Sequence, residues 1–223
     1  VADLGRSLAA QGFRHIWVLS FHGGPRHFVP IEMAAHRTNR RYGTSMVSVF
    51  SLLVKRLTGG SSDLTDILAD VTGLPRGVLQ GDSHGGAVET SMMLRLHGDH
   101  VDTVHRDLPQ RTIDQKLRET GRSFPGEGER PTFTQLIHGL LFKLKYYETE
   151  TYAGAPAMAN ADIGEAMLAE LSRLAAESLE ELLDGRLHPK DCHSPLWPVR
   201  HIVASETIGW LLERAARYKD RVF

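Results

Sequence analysis

The stretch FRHIWVL, residues 13–19, leads directly into the turn SFHGGP, residues 20–25. Apolar, mostly β-branched or aromatic residues end this stretch without a clean alternation with polar ones. A short continuous apolar run of this kind predicts a strand that is buried on both faces of a parallel sheet. In open α/β sheets, ligands bind beyond the carboxyl ends of the strands. The turn that follows this strand is therefore a predicted site.

The sequence on either side predicts an alternation of helices and strands. A second strand is predicted over residues 46–53, after a helix over 29–42. The other predicted helices cover residues 2–11, 63–71, 87–96, 162–183 and 205–218. Together these segments predict an α/β fold with a mainly parallel sheet in a single domain over residues 1–223, with 184–223 as a C-terminal extension of no predicted role.

The composition excludes several classes of protein. With 26 Lys and Arg against 27 Asp and Glu, the net charge is −1, which excludes a strongly basic nucleic-acid binder. A single cysteine excludes an intrachain disulfide framework and a cysteine-rich zinc module. No apolar run approaches the roughly 20 residues of a membrane span, and no targeting signal is visible. We therefore expect a cytoplasmic protein without nucleic-acid or membrane partners. Its 12 histidines favour metal or acid–base chemistry.

A second turn, DSHGG at residues 82–86, is followed by Glu89 and resembles the first in placing glycines beside a histidine. The apolar Val78 and Leu79 before it predict the end of another strand. The helix that begins near Gly85 is expected to aim free backbone N–H groups at a developing oxyanion. The residues predicted to contact a substrate in the two turns are Gly23, Gly24, Asp82, Ser83, Gly85 and Gly86.

The residues alone leave two enzyme chemistries open. The sequence GDSHG, residues 81–85, matches the G-x-S-x-G elbow of serine hydrolases, with Ser83 as the nucleophile. An acid and a histidine would then come from the C-terminal part, from Asp184 or Asp191 and His193 or His201. In the other chemistry His22 binds a metal ion, and His84 transfers a proton with Glu89 nearby. A third hypothesis is a catalytically inactive homologue or fragment that acts through oligomer contacts.

Three motifs resemble those of the creatininase (creatinine amidohydrolase) family. The segment DSHGGAVETS, residues 82–91, resembles its H-A-G-x-x-E-T-S signature. Upstream, GFRHIWVLSFHGG at 12–24 is similar to its G-F-x-x-I-x-x-x-N-G-H-G-G-N strand and turn. Downstream, GAPAMANADIG at 154–164 is similar to its G-x-P-x-x-A-x-x-x-x-G segment. The motifs occur in the family's order, and the resemblance runs from about Leu4 to about Leu183.

The resemblance implies a three-layer αβα sandwich with a two-metal centre of divalent ions, Zn, Mn or Fe. It implies hydrolysis of a non-peptide or cyclic amide C–N bond in a small-molecule substrate, by a homo-oligomer. Among the residues, it implies that His22 is a metal ligand, that His84 transfers a proton beside the substrate, and that Glu89 orients His84.

The chain also departs from the family pattern. Pro25 stands where the family has asparagine, and Gly24 stands where creatininase itself has a glutamate ligand, which argues against creatinine as the substrate. The family's N-terminal Glu-x-His and its metal-bridging Asp have no counterpart from Val1 onward. We therefore expect a domain that is incomplete at its N-terminus or has lost most of its ligands. Such a chain is predicted to bind metal substoichiometrically and to lack amidase activity by itself.

Overall fold

The computed structural model describes residues 1–58, 64–119, 142, 145–147 and 149–216. The chain divides into two compact units. The first unit contains Val1–Leu64 and Ala169–Gly209, and the second contains Thr65–Leu168 and Trp210–Phe223. The expectation of a single domain stays a prediction.

The first unit begins with helix α1 (Ala2–Ala10) and strand β1 (His15–Val18). Helix α2 (Pro25–Tyr42), strand β2 (Ser45–Ser48) and helix α3 (Val49–Thr58) follow. Helix α2 begins with proline at its first position, where no intrahelical N–H bond is lost. It ends at Gly43, whose φ of +63° is the left-handed conformation that commonly stops a helix.

Strands β1 and β2 pair in parallel, with Trp17 opposite Val47. One cluster of buried side chains joins the sheet to α2 and consists of Ile16, Ala35 and Met46. A second cluster contains Val47, Leu52, Leu182 and Cys192, and it joins β2 to α3 and to the C-terminal part of this unit.

Two predictions about the strands are wrong. Strand β1 is not buried on both faces, because Ile16 is 8% exposed while Trp17 is 36% exposed. The second predicted strand, residues 46–53, ends at Ser48, because the chain turns there into α3. The Ser48 hydroxyl accepts hydrogen bonds from the backbone N–H and the hydroxyl of Ser51, which is how serine caps the start of a helix.

The second unit contains the short helices α4 (Leu64–Thr72) and α5 (Arg76–Leu79), and the longer α6 (Ala87–His97). Helix α7 (Ile113–Glu119) follows two 3₁₀ turns. The core of this unit packs α4, α5 and α6 against the start of a long helix through Leu74, Leu79, Ala87 and Ile163. The predicted strand end at Val78 and Leu79 is wrong, since both residues lie in α5.

The long helix α8 (Ala161–Leu183) begins in the second unit and continues in the first. Two further helices, α9 (Arg200–Val203) and α10 (Glu206–Ala216), lie near the C-terminus. The predicted helices are confirmed over their described residues, except that Gln11 and Ser205 lie just outside the ends of α1 and α10. Residues 63, 217 and 218 of those predictions lie outside the described residues.

The described chain is mostly helical with a small parallel sheet, which is compatible with the predicted α/β fold. Over the described ranges the sheet has two strands, so the three-layer sandwich stays a prediction. None of the described helices combines the length and apolar character needed to cross a membrane.

Candidate active site

Asp82 closes the N-terminal end of α6. Its carboxylate accepts hydrogen bonds from the backbone N–H groups of Ala87 at 2.7 Å, Val88 at 3.1 Å and Ala155 at 3.2 Å. Burial raises the pKa of Asp82, while these hydrogen bonds oppose the rise. The three bonds give Asp82 a structural role in the turn, and its predicted contact with substrate stays a prediction.

Two glycines leave the space that the Asp82 carboxylate occupies. A Cβ atom at either Gly86 or Gly154 would collide with Oδ1 of Asp82. Gly154 also has a φ of +147°, which residues with side chains rarely adopt. Glycine is therefore required at both positions by the close approach of the backbone to Asp82.

Three backbone amides at the start of α6 already have acceptors within the chain. The N–H groups of Ala87 and Val88 donate to Asp82, and that of Gly85 donates to Oε2 of Glu89 at 2.8 Å. The expectation that these amides point at a developing oxyanion is therefore wrong. Two carboxylates of the protein occupy the positive end of the helix in place of a ligand.

His84 and Glu89 form a pair at the same end of α6. The His84 Nδ1 atom lies 3.3 Å from Oε2 of Glu89, and 61% and 46% of the two side chains are exposed. In a neutral imidazole this contact favours the proton on Nδ1 and leaves Nε2 as an acceptor. A proton transfer at Nε2, with Glu89 orienting the ring, stays a prediction.

The backbone of His84 is held by a short antiparallel bridge to Ala153. The Ala153 N–H donates to the His84 carbonyl at 2.7 Å, and the His84 N–H donates back at 3.2 Å. A second bridge joins Arg111 to Gly154. The GAP motif at residues 154–156 thus belongs to the segment that fixes the backbone beneath His84, while the imidazole stays accessible.

Tyr147 lies beside His84, although no sequence signal separated it from the neighbouring tyrosines. Its hydroxyl is 3.3 Å from Oγ of Ser83, and its ring meets the His84 ring edge to face with centroids 5.7 Å apart. Tyr147 is 36% exposed, whereas Tyr146 and Tyr152 are 4% and 9% exposed. Tyr147 is therefore the accessible member of the three tyrosines.

The surroundings of Ser83 do not match a serine-hydrolase elbow. The residues before it form α5 instead of the strand that such an elbow requires. Among the described hydrogen bonds, the Ser83 hydroxyl meets the phenol of Tyr147 and no histidine. The pairing of Ser83 with Asp184 or Asp191 and with His193 or His201 stays a prediction.

His22 lies in the first unit, on the exposed turn before α2. Its ring meets the ring of His27 edge to face at 5.2 Å, and His27 Nε2 lies 2.8 Å from the Ser20 hydroxyl. A Cβ atom on Gly24 would lie 2.7 Å from His22 Nε2, so a side chain there would displace the exposed His22 ring. His22 belongs to the first unit and the His84–Glu89 pair to the second.

The donor residues of the described ranges do not fit a two-metal centre. No three His, Cys, Asp or Glu side chains in these ranges come together as a metal site. Burial raises the pKa of the Cys192 thiol to about 12, which disfavours the thiolate that binds metals. His22 therefore remains a predicted ligand without a described ligand set around it.

Comparisons with known proteins give one match. The family model described as creatinine amidohydrolase (Creatininase) matches residues 1–179 of the 223-residue chain. No curated protein and no solved structure matches the chain. The matched region contains both histidine turns, Tyr147 and most of α8.

Proposed function

The chain belongs to the creatininase (creatinine amidohydrolase) family, and on that basis we propose that it hydrolyses a non-peptide or cyclic amide C–N bond in a small molecule. The family match supports an amidohydrolase in general terms. The observation that carries the proposal to particular residues is the His84–Glu89 pair, an accessible imidazole oriented by a carboxylate.

In the proposed reaction, His84 Nε2 takes a proton from the attacking water as its oxygen bonds to the amide carbon. The π electrons of the carbonyl move to its oxygen, giving a tetrahedral oxyanion. When the oxyanion collapses, the C–N bond breaks and its electron pair stays on nitrogen. The nitrogen takes the proton from His84, so that amide and water become acid and amine. Glu89 stabilises the transient imidazolium.

Family membership also leads us to propose that the enzyme needs divalent metal, with His22 among its ligands. Because the described donors do not form a ligand set, no step of the reaction is assigned to a metal ion here. Zn, Mn and Fe are the candidates. A homo-oligomer in the cytoplasm is part of the same proposal.

The experiment assays the protein, expressed from its complete reading frame, with cyclic amides, formamides and linear primary amides. Release of the carboxylate and of ammonia or amine is measured before and after chelation, and again after Zn, Mn or Fe is restored. We expect turnover of at least one class, lost on chelation and recovered with metal. Metal-loaded protein that hydrolyses no amide would contradict the proposal.

Covalent labelling distinguishes this proposal from the alternative in which Ser83 is the nucleophile. A fluorophosphonate reacts with an activated serine and adds a fixed mass to it. We expect no adduct at Ser83 by mass spectrometry, because its described partner is a phenol, which is a poor base. Stoichiometric labelling of Ser83 would favour the serine-hydrolase alternative.

A further inference from the structure

An amide hydrolase needs hydrogen-bond donors for the oxyanion that forms on the carbonyl carbon. At the start of α6 the amides of Gly85, Ala87 and Val88 are already bonded to carboxylates. These three amides are therefore occupied, and side-chain hydroxyls beside His84 can supply donors in their place.

Two hydroxyl groups stand next to the His84 ring. Ser83 Oγ and the Tyr147 hydroxyl oxygen are 3.3 Å apart, and the Tyr147 ring lies edge to face with the imidazole. Ser83 and Tyr147 are both exposed, so a ligand can reach them.

The position of Tyr147 is fixed by its buried neighbour. The ring of Tyr146 packs edge to face against Tyr147 with centroids 5.2 Å apart. The Tyr146 hydroxyl donates to the carbonyl of Tyr152 at 2.9 Å, and burial raises its pKa to about 12, so it stays protonated. Tyr147 therefore presents its hydroxyl from an anchored ring.

We propose that Ser83 and Tyr147 form a hydroxyl pair that binds the carbonyl oxygen of a neutral amide beside His84. Each hydroxyl carries one proton, and in the free protein one of them donates to the other. An oxygen atom within hydrogen-bond distance of both can receive both protons, since the serine hydroxyl rotates and the tyrosine O–H can flip between its two in-plane orientations. The two bonds strengthen as negative charge develops on that oxygen.

The inference rests on the proposed function only in taking an amide as the ligand. If the protein binds amides without hydrolysing them, the hydroxyl pair stands and the proposed function fails. If it hydrolyses amides and the loss of the Tyr147 hydroxyl changes neither binding nor turnover, the proposed function stands and the hydroxyl pair fails. Binding and turnover are therefore measured separately.

The binding test uses 2-pyrrolidinone, a stable cyclic amide, as the probe. Its titration is followed by NMR through the His84 ring signal, which is assigned by comparison with His84→Gln. We expect saturable binding to the wild type. Tyr147→Phe and Ser83→Ala are each expected to weaken it about two- to tenfold, the loss of one hydrogen bond.

Tyr42→Phe is the control. It removes a tyrosine hydroxyl of the first unit, which belongs neither to the hydroxyl pair nor to the residues that hold it, so it is expected to leave the affinity for 2-pyrrolidinone unchanged. Equal affinity of Tyr147→Phe and the wild type would overturn the inference. So would the absence of saturable binding to the wild type, or equal weakening by Tyr42→Phe and Tyr147→Phe.

Discussion

Oε2 of Glu89 lies 3.3 Å from Nδ1 of His84 and also accepts the Gly85 N–H at 2.8 Å. A single carboxylate oxygen thus contacts both the imidazole and the backbone of the residue that follows it. Because Glu89 is the third residue of α6, the positive end of the helix favours its charge. The helix start therefore places a carboxylate beside Nδ1 of His84.

Glu89→Gln tests the orienting role of this carboxylate. An amide oxygen can still accept the Gly85 N–H, but it cannot stabilise an imidazolium by charge. We expect kcat to fall to a value between those of the wild type and His84→Ala, with KM little changed. Steady-state kinetics on the best amide substrate check this. A Glu89→Gln enzyme with wild-type kcat would show that the pair is only a surface contact.

Gly86→Ala tests the packing of the turn. The new Cβ would collide with the Asp82 carboxylate, so we expect a loss of about 1–3 kcal/mol in the free energy of unfolding, the usual cost of overpacking. Gly98→Ala is the control, since its φ is −59° and a Cβ there meets no atom of the described chain within 4 Å. Urea unfolding measures both variants, and equal stability of the two would contradict the described turn.

The pH dependence of stability tests the burial of Asp82. Burial raises its pKa in the folded state above the ordinary 3.8, so folding favours the protonated form. Its contribution to stability is then present below pH 3.8 and is lost as the pH rises through the raised folded pKa. Asp82→Asn lacks this titration.

We therefore expect the free energy of unfolding of the wild type to fall relative to that of Asp82→Asn over that window. Urea unfolding of both proteins at a series of pH values measures the difference. A difference that is constant with pH would show that the hydrogen bonds to Asp82 balance its burial, and a change in the opposite direction would show that they outweigh it; either result contradicts the prediction.

Cys192 provides a probe of the first unit. It is the only cysteine in the sequence, its side chain is buried, and its pKa is raised to about 12 by burial. We expect the native thiol to react with a disulfide reagent at neutral pH far more slowly than the unfolded chain does. The release of the coloured thiolate in buffer and in urea compares the two. Equally fast reaction in both would contradict the packing of Cys192 against Val47 and Leu52.

The helices were predictable because their apolar spacing and their stop signals are local. The second strand was not, because Val49, Leu52 and Leu53 fit either a strand or one face of a helix. The Ser48 cap, which decides between them, depends on the conformation of the backbone. Likewise, the continuous apolar run at residues 13–19 does not reveal that the side chain of Trp17 on β1 stays partly exposed.

At the site, sequence reasoning identified His84 and Glu89 through a motif, and their contact was predictable from the spacing on a helix start. It could not identify Tyr147, because Tyr147 is 64 residues away from Ser83 along the chain and only the fold brings the two together. Nor could it predict that the Asp82 carboxylate accepts hydrogen bonds from the amides at the start of α6. The same carboxylate also accepts the N–H of Ala155, which lies far away in the sequence.

The central claim is that His84 transfers the proton during amide hydrolysis, and His84→Ala tests it most directly. The measurement is kcat on the best amide substrate, with metal content determined by elemental analysis on the same samples. We predict a fall in kcat of about 10²–10⁴, the usual range for general acid–base groups, with metal content near that of the wild type. A His84→Ala enzyme with undiminished kcat would contradict the account.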